Sequence, residues 1–384
     1  ADTTDGAAAA DASAVVRGDV DAASVSVTAT ANAATARDDL SGSATADLDA
    51  TARAVIGGEA TIRADSLTLS ATTDADLTEF SGTASAAILT VSLDTETTAE
   101  VEAGATLDVA RDVMVSATSD FTADVDLTAG ALSDVTGFDV LTVDLDMTRA
   151  TRASIGGEGA ITAVRDEVYD PDGEVFEPAQ GGALSVTATN TGAIDVDVIS
   201  NLVGVIDVDV ITDDAVATLE NVDAWMGAIT VQATNGASVA AQAMVVTLSV
   251  SDDAAETGEA ASRTEAGVVG STLRSGAGVE VGAADSGAFR VTSAGLDADV
   301  QDIRDAIGSG AGVPDVTFEV AAAVNEIARD VVARVEDSHV TAEGGDVAVT
   351  ATNRMELIAT TEVLAVSNNS DVDLTAPNVG FSFG

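Results

Sequence analysis

Aspartates in Asp-x-Asp pairs are the residues of this sequence whose type and spacing best suit chemistry. On a β-strand, carboxylates at i and i+2 lie on one face about 6.5–7 Å apart, and a neighbouring strand adds others about 4.8 Å away. Calcium takes roughly six to eight oxygen ligands and could bridge such a ladder. The pairs are Asp47/Asp49, Asp74/Asp76, Asp124/Asp126, Asp144/Asp146, Asp195/Asp197, Asp207/Asp209, Asp297/Asp299 and Asp371/Asp373. The clearest candidate calcium ligands are Asp195, Asp197, Asp207 and Asp209, which alternate with Val and Ile.

Two other interpretations of the paired carboxylates stay open. One is a solvated acidic face without a specific ion, because the sequence contains no EF-hand loop and no Gly-Gly-x-Gly-x-Asp repeat. The other is a polysaccharide-cleaving β-helix enzyme, since glycosidases use carboxylate pairs. A chain with one Tyr, one Trp and no Lys offers few sugar platforms and few basic groups for such a cleft. We therefore assign no catalytic residues and expect no enzyme activity.

The remaining candidate side chains are isolated. His339 is the only His and falls in a turn, so we expect it to be exposed. There is no Cys, which excludes disulfides and Cys-based zinc sites. Trp225 and Met226 precede Gly227, and we expect them to pack at a corner.

Composition and charge limit the partners. The 384 residues carry a net charge of −50, and all 15 basic residues are Arg. Such a surface disfavours nucleic acid and anionic membranes. No apolar run reaches the roughly 20 residues of a membrane span. No signal peptide is visible and the chain does not begin with Met, so we expect an excerpt of a longer polypeptide.

One strand motif recurs through the chain. Its copies are Ser24–Thr30, Ser66–Thr72, Asp112–Thr118, Ala183–Thr189, Ala228–Thr234, Ala288–Ala294 and Asp346–Thr352, centred on Val27, Leu69, Val115, Val186, Val231, Val291 and Val349. The first three centres lie 42 and 46 residues apart. We interpret residues 1–384 as one continuous repeat array with insertions at 165–182, 251–287 and 301–314.

Repeats too small to bury their own apolar face predict a stacked solenoid. Apolar residues make up 46% of the chain but aromatic residues only 3%, which predicts a thin core of Ala and Val. The expected fold is an all-β, elongated parallel β-helix in which about 45 residues make two coils. The alternative is a string of antiparallel β-sandwich domains. Residues 300–307 are the clearest candidate for a short helix.

Three pairs of threonines indicate one further possible function. Thr28/Thr30, Thr187/Thr189 and Thr350/Thr352 would stack outward if the coils are in register. Outward Thr arrays are typical of ice-binding solenoids, so ice binding is a minor alternative.

The segment Ala321–Asn353 resembles the repeat of giant bacterial β-strand-repeat surface proteins, the leukotoxin-like filamentous adhesins. The matching features are Val324-Asn325, the alternating strand Val331–Val335, the Gly344-Gly345 turn and Val349-Thr350-Ala351. The other copies are more acidic and lack the Val-Asn strand end. The resemblance implies a non-catalytic structural or adhesive protein at the cell surface or outside the cell, forming a filament, stalk or surface layer. We expect it to associate end to end with itself or with other surface components.

Overall fold

The computed structural model describes residues 4–38, 44–84, 87–129, 140–165, 182–199, 203–243, 247–252, 262–294, 322–326 and 329–362. All regular structure in these ranges is β-strand, and the strands pair in parallel. The predicted all-β parallel solenoid is thereby confirmed. The alternative, tandem antiparallel sandwiches, does not occur in the described residues.

Within the described residues, the strands belong to two sheets, one of nine strands and one of fifteen. Sheet A has nine strands: β1 (Thr4–Val16), β3 (Ala44–Ile56), β5 (Ala87–Val101), β8 (Val140–Gly156), β11 (Val203–Glu220), β15 (Thr247–Asp252), β16 (Ser262–Val269), β20 (Ala322–Glu326) and β21 (Arg329–Glu336). Sheet B has fifteen: β2 (Val20–Asp38), β4 (Thr61–Ala84), β6 (Thr106–Val109), β7 (Val113–Ala129), β9 (Thr162–Arg165), β10 (Ala183–Ile199), β12 (Val222–Met226), β13 (Ala228–Asn235), β14 (Ser238–Ala243), β17 (Thr272–Ser275), β18 (Val279–Asp285), β19 (Ala288–Ala294), β22 (His339–Ala342), β23 (Val347–Asn353) and β24 (Glu356–Glu362).

Each repeat forms one wide coil, made of sheet A strands followed by sheet B strands. The coils are β1–β2, β3–β4, β5–β7, β8–β10, β11–β14, β15–β19 and β20–β24, and we number them 1 to 7. The prediction of two coils per repeat was wrong because the strands are long. β4, for example, has 24 residues. A repeat of about 45 residues therefore forms one coil, with one stretch of chain in each sheet.

The predicted motif register is correct for six of the seven copies. The rung that starts at Val27 continues through Leu69, Val115, Val186, Val231, Val281 and Val349. The copy assigned to Val291 was wrong, because Val291 pairs with Ala241 and Ala359 on the rung of Val196, ten residues further along β10 than Val186. In coils 5 to 7, sheet B has three strands per coil, because two shorter strands pair where β10 of coil 4 is one long strand.

The insertion predicted at 251–287 was too long. It contains β16, β17 and β18, which pair in register with the coils on either side. Residues 253–261 lie outside the described residues, as do most of the insertions at 165–182 and all of that at 301–314. The predicted helix at 300–307 and the pairs Asp297/Asp299 and Asp371/Asp373 also lie outside them.

Inward side chains form two separate apolar cores between the sheets. The larger, which we call the major core, includes Leu69, Val115 and Val186. The smaller, the minor core, includes Leu145 and Val196. Alternation along each strand sends these residues inward and their neighbours outward. Each fully buried aliphatic side chain of this size contributes about 1.5–3 kcal/mol of transfer free energy.

Candidate functional site: a buried ion chain and two outer faces

A row of buried polar side chains, the polar seam, separates the major core from the minor core. On sheet B its members occupy one rung position: Thr73, Ser119, Asn190, Asn235 and Asp285. On sheet A the matching rung carries Thr95, Arg149 and Asp213. In coils 2 and 3 the seam is made of hydroxyls, and Thr95 Oγ1 lies 3.1 Å from Ser119 Oγ across the interior.

Asp213 is the centre of the charged part of the seam. Its carboxylate is completely buried. Its Oδ1 accepts hydrogen bonds from Arg149 Nε at 2.7 Å and from Asn190 Nδ2 at 3.0 Å. Its Oδ2 accepts a hydrogen bond from Asn235 Nδ2 at 2.7 Å and lies 2.8 Å from Arg329 Nη2 in an ion pair. Three hydrogen bonds and two arginine charges therefore surround the carboxylate.

The electrostatic surroundings of Asp213 keep it ionised. Burial by itself disfavours a charged carboxylate. The charges of Arg149 and Arg329, with hydrogen bonds from Asn235 and Arg149, outweigh that effect and lower the pKa of Asp213 to about 2. The carboxylate is therefore charged at neutral pH even though water does not reach it.

The two arginines extend the network along the axis of the solenoid. Arg149 Nη1 donates to the carbonyl of Thr191 at 2.6 Å, and its guanidinium lies 4.6 Å from the centre of the Phe121 ring. Arg329 Nη1 donates to Asp285 Oδ2 at 3.2 Å.

Phe289 lies 4.9 Å from the guanidinium of Arg329, as the second ring stacked on an arginine. Each arginine is thus held by a carboxylate on one side and a ring on the other, an arrangement that suits a desolvated cation.

The ion chain, which we define as Arg149, Asp213, Arg329 and Asp285, links non-adjacent coils. Arg149 lies in coil 4, Asp213 in coil 5, Asp285 in coil 6 and Arg329 in coil 7. Two positive and two negative charges balance within it. All four side chains are buried between the sheets, so they contribute to the packing of the coils.

The sequence interpretation missed this network, although a signal was present. Alternation places Val143, Leu145 and Met147 inward on β8, and the same phase continues to Arg149. A charged residue in the inward phase of a strand predicts a buried ion pair. On sheet B, Asn190 and Asn235 each follow directly after a Thr-Ala-Thr or Gln-Ala-Thr segment.

The four predicted calcium ligands form two ladders in different sheets. Asp195 and Asp197 lie on β10 of sheet B, beside Asp124 and Asp126 of β7. The other two lie on β11 of sheet A, where the pairing is Asp207 with Asp144 and Asp209 with Asp146. The predicted register of aspartates on neighbouring coils is confirmed, but the four residues lie on two different sheets.

Carboxylates in the sheet B ladder repel one another. Partial burial, and then the charge of Asp124, raise the pKa of Asp195. Burial, then Asp126 and Asp195, raise the pKa of Asp197. In the part of the chain that the structure describes, no group of three or more His, Cys, Asp or Glu side chains is arranged to hold a metal ion. Calcium binding therefore stays a prediction.

Two of the three Thr-x-Thr pairs stack on other hydroxyl residues as the sequence predicts, whereas Thr350 and Thr352 lie in register with Gly282 and Ala284. Thr187 and Thr189 of β10 lie in register with Ser116 and Thr118 of β7. They alternate with the buried residues Val186 and Ala188, so their side chains lie on the outer face of sheet B.

The isolated candidates have ordinary structural roles. His339 is exposed at the start of β22, as predicted, and its backbone N–H donates to the carbonyl of Ser271 at 2.8 Å. Met226 is buried in the major core. Trp225 is half-buried on the opposite face of β12, so only Met226 packs inward.

The chain was compared with protein-family models, curated proteins and solved structures, and none matches it. Among the described residues there is no helix with the length and apolar character needed to cross a membrane.

Proposed function

We propose that this chain is a non-catalytic structural unit of an extracellular or cell-surface assembly, an adhesive filament, stalk or surface layer. The single observation that carries the proposal is the in-register stack of seven coils around a sealed interior. The ion chain joins coils 4 to 7 of that stack. The resemblance of Ala321–Asn353 to bacterial surface repeats points to the same class.

The dimensions of the stack indicate how a filament would arise. A strand of 17 residues such as β10 is about 56 Å long at roughly 3.3 Å per residue. Seven coils separated by about 4.8 Å extend only about 34 Å along the axis. The seven coils are therefore wider than they are long. A long filament would need further coils stacked on these seven.

Coil 7 carries an edge suited to that association. Val349 occupies the same rung as Val231 and Val281, which are fully buried, yet it is 45% exposed. Within the described residues, β23 has a strand partner on one side only. An unpaired strand edge is a template for pairing with a further strand. A further coil at this edge would bury Val349.

Sedimentation velocity over a range of concentrations tests end-to-end association. We expect the chain to form linear oligomers and Val349→Lys to abolish them, because the lysine would be buried at the new contact. Thr350→Lys is the matched control, since Thr350 lies next to Val349 but on the opposite face of β23. A monomer at all concentrations, unaffected by either substitution, would contradict this mode of assembly.

A screen of acidic and neutral glycans tests the non-catalytic assignment. We expect no depolymerisation. Reproducible turnover that disappears when one outward carboxylate is replaced would instead support the polysaccharide-active alternative.

A further inference from the structure

The outer face of sheet B over the major core carries a regular array of hydroxyl groups, which we call the hydroxyl face. It consists of three outward rows in coils 1 to 5, and thirteen of its fifteen positions are Ser or Thr. Its residues are Ser26, Thr28, Thr30, Thr68, Ser70, Thr72, Met114, Ser116, Thr118, Ser185, Thr187, Thr189, Thr230, Gln232 and Thr234.

The array is periodic in two directions. One row is threonine in all five coils: Thr30, Thr72, Thr118, Thr189 and Thr234. Hydroxyls in a row are separated by the strand spacing of about 4.8 Å, and rows by about 6.6–6.8 Å, which is two residues along a strand. The strands of this region pair without a register shift, because the shifts of β2 and β4 occur further along these strands, after Ala36 and Leu77.

The hydroxyl face is also uncharged. The whole chain is 21% charged with a net charge of −50, yet none of these fifteen outward positions carries a charge. A charged partner would have no counter-charge here. The surface fits a neutral partner made of hydrogen-bonding oxygens that repeats in two dimensions.

Two neutral partners fit less well. Three rows by five coils cover about 20 by 24 Å, or roughly 480 Å², whereas a standard protein interface needs about 800 Å² on each partner. A second copy of the chain is therefore disfavoured on this face. Its fifteen residues include no aromatic ring, whose flat apolar face would stack on a sugar ring, which disfavours a polysaccharide.

We propose that the hydroxyl face binds the surface of ice crystals. Each threonine places a hydroxyl, which donates and accepts hydrogen bonds, beside a methyl group. The hydroxyls fix water molecules, and the methyl groups restrict the orientations of the water next to them. Water held in this two-dimensional array forms an ordered layer of oxygens that can join the crystal. This activity goes beyond the structural function proposed above, since a single unassociated chain would also show it.

The full chain is tested for thermal hysteresis and for retention on a growing ice hemisphere. We expect both activities in the unmodified protein and a loss of at least half of each in the double variant Thr118→Lys/Thr189→Lys. Thr122→Lys is the matched control, because Thr122 lies outward on the same strand β7 but over the minor core. We expect it to retain both activities. Thermal melting of each variant checks that the fold is intact.

Absence of hysteresis and of ice retention in the unmodified protein overturns the proposal. Equal loss in Thr122→Lys also overturns it, because the effect would then not depend on the hydroxyl face. Incubation with microcrystalline cellulose and chitin forms a separate arm. Retention on these polymers without retention on ice would assign the face to a polysaccharide and reject ice.

Discussion

The two halves of each coil share one backbone arrangement but differ in the charge of their outer surfaces. Over the major core, sheet B carries the neutral hydroxyl face, and sheet A carries ion pairs such as Arg53 with Glu100 at 3.4 Å. Over the minor core, carboxylates lie beside carboxylates on both sheets. Asp124 pairs with Asp195 on sheet B, and Asp49 pairs with Asp94 on sheet A.

This difference shows that the negative charge is not spread evenly over the solenoid. Directly opposed like charges destabilise a sheet, so repulsion is concentrated over the minor core. The polar seam lies between the two halves and contains the charges that are fully compensated. We call the part of each coil over the minor core the acidic half and the part over the major core the neutral half. Substitutions in the seam, in the acidic half and in the neutral half should therefore change stability by different amounts and with a different dependence on pH and salt.

Breaking the polar seam should have the largest effect. Asp213→Asn leaves Arg149 and Arg329 buried with one carboxylate fewer between them. Removing one partner of a buried pair typically costs about 3–5 kcal/mol. We expect a decrease of that size in the free energy of unfolding, measured by urea denaturation.

Glu356→Gln provides the control, because it makes the same chemical change in an exposed ion pair. Arg290 and Glu356 are 58% and 51% exposed, and pairs of this kind contribute about 0–1 kcal/mol. If the two substitutions cost the same, the ion chain does not hold the two halves together.

Calcium should stabilise the protein by binding to the acidic ladders over the minor core. A cation that binds only the folded state at a hundredfold excess over its Kd stabilises by about 2.7 kcal/mol. We expect millimolar calcium to raise the Tm more than sodium chloride of equal ionic strength does. Replacing Asp195, Asp197, Asp207 and Asp209 together by Asn should reduce this increment.

A control variant makes the same change in total charge away from the ladders. It replaces four exposed acidic residues in turns by their amides: Glu59, Glu158, Asp337 and Glu343. This variant should keep the calcium increment. If calcium and matched sodium chloride raise the Tm equally, the ladders are a screened acidic surface and hold no specific ion.

The pH dependence of stability should separate the two kinds of carboxylate, with a smaller effect in the acidic half. Burial and neighbouring carboxylates raise the pKa values of Asp74, Asp94 and Asp195, so their folded state binds protons more readily than the unfolded chain. Their destabilising effect is present at neutral pH and disappears as the pH falls towards their ordinary value of 3.8.

Asp213 responds in the opposite direction, because its pKa is lowered to about 2. Its contribution to stability is complete above 3.8 and is lost as the pH falls towards 2. The Tm should therefore rise modestly from pH 7 to about 4 and fall below it. Asp195→Asn should flatten the rise without changing the fall. A Tm that decreases steadily from pH 7 would contradict both assignments.

Much of the fold followed from the sequence, because period-2 alternation and a repeated strand motif constrain a parallel stack strongly. The alternation around Val186 predicted both the buried row and the outward threonines. The number of coils per repeat did not follow, because alternation alone does not say where a long strand ends. Val281 was missed because its segment, Val-Gly-Ala-Ala-Asp, lacks the Thr of the other copies.

Less of the site could be predicted. The acidic ladders were identified correctly as stacked pairs, but their division between two sheets depends on where the chain turns after β10. The ion chain depends on contacts between residues far apart in the sequence: 64 positions separate Arg149 from Asp213, and 44 separate Asp285 from Arg329. The residues next to Asp213 and Arg329 in the sequence do not predict that these two side chains meet.

The reach of Arg329 past coil 6 limits how this array can evolve. Repeat proteins usually grow and shrink by duplication or loss of whole units. In coils 2 and 3 the seam contains only hydroxyls, so a unit gained or lost there leaves no charge without a partner. Loss of any one of coils 4 to 7 would leave a buried arginine or aspartate without one of its charged partners. We therefore expect homologous proteins to gain or lose repeats mainly among coils 1 to 3. Coils 4 to 7 should be kept or lost together.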